Sequence, residues 1–237
     1  METADQKGDA ATKTQEHVSK WWIRRWYVPI TVVLLLGLLA LCVPGCRQTV
    51  LIALGQLLVI EPTPVKSADV IVMAIDVGSA GALKAADLVH EGVAQRVAIF
   101  DDPPSAVDRE FLSRGLPYTD WAVISTHQLH SLGVQNVEQI PKKTSGSEQE
   151  GVILPGWCKR NGYHTVVLVT SLAHTRRLGR IMRRDVQDPT LRIVIVGSPY
   201  SDSGFAPGKW WKSRGGIRTE IVEGEKLLLD FIRHPFS

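Results

Sequence analysis

Residues 165–170, Thr-Val-Val-Leu-Val-Thr, are the clearest predicted strand of the chain. The run consists of an apolar Val-Val-Leu-Val segment between two threonines and is rich in β-branched residues, as is typical of a strand in a parallel sheet buried on both faces. On either side of it, short β-branched segments alternate with longer amphipathic ones. Because strands that alternate with helices form a parallel sheet covered on both faces, the sequence predicts a doubly wound α/β domain over residues 67–237.

The same patterns give approximate bounds for the elements of this domain. The predicted strands are residues 70–75, 97–100, 136–140, 165–170 and 191–196. The predicted helices are residues 81–91, 107–114, 119–132, 147–161, 173–184 and 218–232. The pair Trp210 and Trp211 follows the last strand, and we expect it to pack against the closing helix.

The composition is that of a globular protein, with 237 residues of which 44% are hydrophobic and 22% charged. The net charge of +3 is small, so charge predicts no nucleic-acid partner. The cysteines, Cys42, Cys46 and Cys158, lack the spacing of a disulfide framework or a metal site, and Cys158 is predicted to be a buried apolar residue. His127 and His130 are three residues apart without an evident third ligand, so no metal is predicted.

A transmembrane helix is predicted at residues 26–46. No charged residue lies between Arg25 and Arg47, and about 20 apolar residues cross a bilayer core of about 30 Å. The apolar run is long for a cleaved signal peptide and lacks a clean cleavage site. The sequence Val43-Pro44-Gly45-Cys46 leaves lipoprotein processing at Cys46 as an alternative, although a proline before the glycine fits poorly.

The charges around this segment predict its orientation. Residues 1–20 are polar, and residues 1–25 are predicted to be a disordered cytoplasmic tail. Lys20, Arg24 and Arg25 precede the span, and positive residues stay on the cytoplasmic side, so the α/β domain is predicted outside the cytoplasm. Residues 47–66 are predicted to be a connecting helix and linker, with an apolar stretch too short to span the membrane.

Ligands of open parallel sheets bind beyond the carboxyl ends of the strands, where helices begin. That rule selects residues 76–79, 144–150 and 170–174. In the last segment, Ser171 could cap the following helix, whose free N–H groups would then attract an anion. His174 lies near the same helix end as a candidate base.

Charged residues nearby complete this hypothesis. Arg176 and Arg177 could clamp a phosphate or a carboxylate, and Glu150 could form an acid/base pair with His174. The alternative is a solvated helix with surface arginines, and Arg176, Arg180, Arg183 and Arg184 are predicted to form a solvated face. The candidate catalytic residues are Glu150 and His174, and the candidate ligand-binding residues are Asp76, Gly78, Ser147, Thr170, Ser171 and Arg177.

Several motifs follow one another in the order of a known family. They are Gly-Gln-Leu-Leu-Val-Ile-Glu-Pro at 55–62, Ser-Ala-Asp-Val-Ile-Val at 67–72, Ser-Gly-Ser-Glu-Gln-Glu at 145–150, Thr-Ser-x-x-His-x-x-Arg at 170–177, and the late residues Trp210, Trp211, Glu223 and Lys226. In this order they resemble the YdcF-like domain family of SanA-like and ElyC-like bacterial envelope proteins, over nearly the whole chain after Gly55. The Thr-Ser-x-x-His-x-x-Arg match is the most specific.

The resemblance implies a Rossmann-like domain, a location in the bacterial plasma membrane, and a role in envelope integrity or cell-wall biogenesis. It favours an anionic, phosphorylated or lipid-linked precursor as ligand, besides the lipid bilayer as partner. The alternatives are a non-catalytic module for a small, nucleotide-like ligand, or a membrane scaffold. One relative is described as binding S-adenosylmethionine, which a domain outside the cytoplasm would rarely meet, so the cofactor stays unknown. The chain departs from the family at Asp76-Val77, in place of Gly-Gly, and at residues 100–104, in place of Ser-Gly-Gly.

Overall fold

A computed structural model of the chain describes residues 29, 31–32, 43–61, 63–201 and 203–236. The chain divides into two compact units, residues 1–50 and residues 51–237. The predicted tail at 1–25, and most of the predicted transmembrane segment at 26–46, lie outside the described residues. Within the described residues, no helix is both long enough and apolar enough to span a membrane.

The second unit is built on a five-stranded sheet in which every neighbouring pair is parallel. Its strands are β1 (Val70–Met73), β2 (Val97–Ile99), β3 (Val137–Gln139), β4 (Thr165–Ser171) and β5 (Arg192–Ser198). They lie in the order β3-β2-β1-β4-β5. The chain therefore reverses its direction of winding between β1 and β4, as in Rossmann-like folds.

Helices connect the strands. They are α1 (Pro44–Leu57), α2 (Gly78–His90), α3 (Ala106–Ser113), α4 (Trp121–Ser131), α5 (Ser147–Asn161), α6 (Thr175–Asp185) and α7 (Arg214–Arg233). Each strand and helix predicted for residues 67–237 is present, within a few residues of its predicted bounds. The doubly wound α/β fold predicted from the alternation is therefore confirmed.

The core lies on both faces of the sheet, because alternate residues of each central strand point to opposite sides. Ile71 and Met73 of β1 pack in a cluster with residues of α2 and α4. Val70 and Val72 pack on the other face with residues of α5 and α6. Cys158 of α5 belongs to this second cluster as predicted, and burial raises the pKa of its thiol to about 12.

A third cluster closes the domain near its last helix. It contains Leu58, Ala173, Phe205, Trp210 and Leu227. The indole nitrogen of Trp210 donates a hydrogen bond of 2.8 Å to the backbone oxygen of Leu51. The predicted packing of the tryptophan pair against the closing helix is confirmed, because Trp210 meets Leu227 of α7 in this cluster.

Candidate active site at the carboxyl edge of the sheet

The site lies at the carboxyl ends of β1 and β4, the two strands between which the strand order reverses. Asp76 follows β1, and its carboxylate accepts hydrogen bonds from Thr170 Oγ1 (2.7 Å) and from Ser171 Oγ (2.6 Å) and N (3.2 Å). The hydroxyl of Ser171 is thus bound to Asp76 and does not cap the next helix, contrary to the prediction. The groups at the end of β4 that were predicted to bind an anionic ligand are therefore bound to the carboxylate of Asp76.

His174 is held by side chains from two other elements. It ends a 3-10 turn, Leu172–His174, that separates β4 from α6, and only 1% of its surface is exposed. Its Nε2 lies 2.8 Å from Ser147 Oγ at the first residue of α5. Its Nδ1 lies 3.0 Å from Glu223 Oε2 on α7. The imidazole of His174 therefore links the hydroxyl of Ser147 to the carboxylate of Glu223 by two hydrogen bonds.

The charge of Glu223 fixes the direction of these hydrogen bonds. Burial raises the pKa of Glu223. The hydrogen bond and charge of His174 and the charge of Arg177 together lower it by more, so that the net pKa lies below the ordinary range of a glutamate. An ionised carboxylate only accepts hydrogen bonds, so Nδ1 of His174 must donate to it. In a neutral imidazole Nε2 then accepts the hydroxyl proton of Ser147. This is the tautomer in which a histidine can act as the base for a serine.

Two cations also hold Glu223. Arg177 contacts Oε2 through Nε (3.2 Å) and Nη2 (3.1 Å), and Lys226 Nζ lies 2.8 Å from Oε1. Arg177, a predicted ligand-binding residue, therefore reaches the site but is ion-paired with the chain's own carboxylate. Because all of these contacts converge on one carboxylate, Glu223 is the residue that orients the site.

Glu150 lies in the first turn of α5, three residues after Ser147, and is fully buried. Its Oε1 accepts a 2.8 Å hydrogen bond from the backbone N–H of Ile75. Its Oε2 has no hydrogen-bond partner among the described residues. Burial raises the pKa of this carboxyl to about 7, against the smaller opposing effect of the Ile75 hydrogen bond. Glu150 can therefore exchange a proton near neutral pH. The hydrogen bonds of the His174 ring go to Ser147 and Glu223 and not to Glu150, the partner that the sequence predicts.

Two cavities meet at this edge of the sheet. One, of about 690 Å³, is lined by Ser147, Arg177 and Arg233 among others. The second, of about 630 Å³, is lined by Ser171 and by residues of the loop before α7. Asp76, Glu223 and Lys226 line both. The volumes suit a small organic ligand.

The first turn of α5 adds hydrogen-bond donors to the larger cavity. Among the described residues, the backbone N–H groups of Ser147 and Glu148 have no acceptor. A Cβ placed on Gly146, the preceding residue, would meet no heavy atom within 4 Å, so the approach to this helix end is open. Free N–H groups at a helix start stabilise negative charge.

Some predicted residues do not reach this site. Gly78 forms the positive-φ turn (φ +58°) that opens α2 and is not among the lining residues of either cavity. The guanidinium of Arg176 instead donates to the backbone oxygens of Val59 (2.8 Å) and Gln56 (3.3 Å). Asp101, in the segment 100–104 that follows β2, is buried and accepts a hydrogen bond from the Ala122 N–H.

The predicted solvated face of α6 is wrong for two of its arginines. Arg180 is only 5% exposed and is ion-paired with Asp230 of α7 at 2.5 Å. Arg184 is bound to Asp230 and to Glu148. These pairs fasten α6 to α7, because the carboxylate that they share lies on α7.

Sequence reasoning did not select Glu223 and Lys226 as site residues. Both lie near the C-terminus, and Glu223 is 49 residues from His174. Their spacing of three on a helix indicates one common face, but not that this face meets the ends of β1 and β4.

Comparison with known proteins adds no family assignment, because no family model matches the chain and no curated protein matches it significantly.

Proposed function

We propose that this chain is a membrane-anchored protein of the bacterial plasma membrane with a role in envelope integrity or cell-wall biogenesis. In this proposal, residues 26–46 form the anchor and the α/β domain lies outside the cytoplasm. The domain binds an anionic precursor, phosphorylated or lipid-linked, and acts on it by proton transfer. The observation that carries the proposal is the buried His174, which is bonded to Ser147 and Glu223, two residues that line the larger cavity.

The charges of the larger cavity favour an anionic ligand, although acidic residues also line it. Glu148, Glu223 and Asp230 each have a cationic partner already, and the carboxylate of Asp76 accepts hydrogen bonds from Thr170 and Ser171. Among the described residues, Arg233 has no ion-pair partner, and it lines the same cavity. Arg233 and the free N–H groups of α5 are therefore available to an anion.

A lipid-linked ligand would also meet an apolar group here. Leu229 lines the larger cavity and is 42% exposed. Burying such a side chain against a hydrocarbon chain is favourable, by about 25 cal/mol per Å² of apolar surface removed from water. The lining thus offers contacts for both ends of a prenyl phosphate.

Binding of farnesyl phosphate tests this proposal with the full chain in a non-ionic detergent. We expect Arg233→Ala to weaken binding about tenfold or more, because a hydrogen bond to a charged group contributes about 1.5–3 kcal/mol. Titration calorimetry measures the Kd. The matched control is Arg183→Ala, an exposed arginine that lines a different cavity and should leave Kd unchanged. Equal binding of farnesol, which lacks the phosphate, would contradict the proposal.

The proposed location has its own test. Alkaline phosphatase fused after Ser237 is expected to be active, because it folds only outside the cytoplasm, while green fluorescent protein at the same position stays dark. When residues 26–46 are deleted, the alkaline phosphatase fusion should be inactive and the green fluorescent protein fusion should fluoresce. Fluorescence of the intact fusion would place the domain in the cytoplasm and remove envelope precursors as ligands.

A further inference from the structure

The geometry points to Ser147 as a catalytic nucleophile, activated by His174 and Glu223, in a hydrolase that cleaves a carboxylic ester of an anionic molecule. The inference rests on the proposed function, because it uses the same cavity, and it adds the reaction and the bond that is broken. Ser147 is only 7% exposed, yet it lines the larger cavity. A buried hydroxyl that opens only onto a cavity can react with a ligand held there.

The hydroxyl, the imidazole and the carboxylate form an unbroken relay. Ser147 Oγ lies 2.8 Å from His174 Nε2, and His174 Nδ1 lies 3.0 Å from Glu223 Oε2. Both distances are within the range in which a base takes a proton from a nucleophile and a carboxylate orients that base. Glu223 is held in turn by Arg177 and Lys226, which fix its position and keep it ionised.

A site for the developing oxyanion lies beside the nucleophile. Ser147 is the first residue of α5, and its own N–H and that of Glu148 have no acceptor among the described residues. Two backbone N–H groups at the nucleophile are the arrangement that stabilises a tetrahedral intermediate in acyl transfer. The positive end of the helix dipole adds to this stabilisation.

The reaction runs in two balanced halves. Ser147 Oγ forms a bond to the carbonyl carbon of the ester as its proton passes to His174 Nε2, and the carbonyl electrons move to the oxygen. When the carbonyl re-forms, the alkoxide leaves with the proton from His174, so an alcohol is released and an acyl-serine remains. Water then attacks the acyl carbon, gives one proton to His174, and the acid departs as Ser147 regains its proton. The sum is ester plus water giving acid plus alcohol.

Arg233 is expected to select among esters. Arg177 and Arg233 line the cavity that Ser147 faces. An anionic group on the substrate would be held by Arg233, with the ester carbonyl over the start of α5. Esters that carry a phosphate or carboxylate are therefore preferred over neutral ones.

A fluorophosphonate probe tests the nucleophile directly, because it phosphonylates activated serines with loss of fluoride. We expect intact protein to gain one label, located at Ser147 by peptide mass spectrometry and absent from Ser147→Ala. His174→Gln should slow labelling at least 100-fold, since the base is removed. The rate of p-nitrophenyl butyrate hydrolysis should also fall at least 100-fold, both in Ser147→Ala and in His174→Gln. Ser145→Ala, in the loop that precedes α5, is the control and should be labelled at the normal rate.

Thermal melts establish whether each variant is folded. If His174→Gln does not fold, the loss of labelling in Ser147→Ala still tests the inference. Label on another residue, or labelling of Ser147 at an unchanged rate in folded His174→Gln, would overturn the inference. If farnesyl phosphate still binds while Ser147 stays unlabelled, the nucleophile alone is wrong. If Ser147 is labelled while farnesyl phosphate does not bind, the proposed ligand alone is wrong.

Discussion

Replacing Asp230 by alanine is expected to lower the free energy of unfolding by about 3–5 kcal/mol. Asp230 and its partner Arg180 are both buried, and the two side chains are 2.5 Å apart. The guanidinium of Arg180 also lies 3.7 Å from the centre of the Phe231 ring. Removing the carboxylate breaks this buried ion pair, and breaking a buried pair by removing one partner costs several kcal/mol.

Denaturant unfolding at neutral pH measures this loss. The matched control is Glu225→Ala, an exposed carboxylate on the same helix, which should change the free energy of unfolding by no more than about 0.5 kcal/mol. A loss of less than about 1 kcal/mol for Asp230→Ala would show that the pair does not stabilise the protein. The result also concerns the site, because Asp230 fastens the helix that carries Glu223 to α6.

The second large effect is a dependence of stability on pH that originates in Glu150. Burial raises the pKa of this carboxyl from 4.5 to about 7 in the folded protein. The folded state therefore holds a proton between these two pH values that the unfolded chain releases. The contribution of Glu150 to the free energy of unfolding is fully present below about pH 4.5, and it is lost as the pH rises through about 7. Each unit of pKa difference corresponds to about 1.4 kcal/mol, so the whole loss is about 3 kcal/mol.

Glu150→Gln should remove this dependence, because glutamine retains an acceptor for the Ile75 N–H but does not ionise. We expect wild type to lose about 2–3 kcal/mol more than this variant between pH 5 and pH 8, measured by denaturant unfolding at each pH. Glu148→Gln, which changes an exposed carboxylate two residues earlier, should follow wild type. Parallel curves for wild type and Glu150→Gln would mean that Glu150 is charged in the folded protein throughout this range.

The fold could be predicted because its signals are local. The helix predicted at 147–161 has those bounds in the structure, although Pro155 lies within it. Its apolar residues Leu154, Trp157 and Cys158 are all buried, and this packing outweighs the effect of one proline. The start of α6 was predicted two residues early, because β4 continues to Ser171 and a 3-10 turn follows it.

The site could be predicted only in part, because its members come from distant parts of the chain. The rule for strand ends brought Asp76, Thr170 and Ser171 together correctly. No local pattern could show that Glu223 meets His174. The burial of Arg180 was missed for the same reason, since its partner Asp230 is 50 residues away and a row of arginines on a helix resembles a solvated face.

The third core cluster decides where the α/β unit can be cut from the rest of the chain. Leu58 is buried within it, the Leu58 oxygen accepts a hydrogen bond from Arg176 N, and the Leu51 oxygen accepts one from Trp210. A fragment that starts at Glu61 would lack both residues and would leave Phe205 and Leu227 open to solvent. Soluble expression of this unit therefore has to begin ahead of Leu51, and a protease that releases it intact has to cleave upstream of that residue.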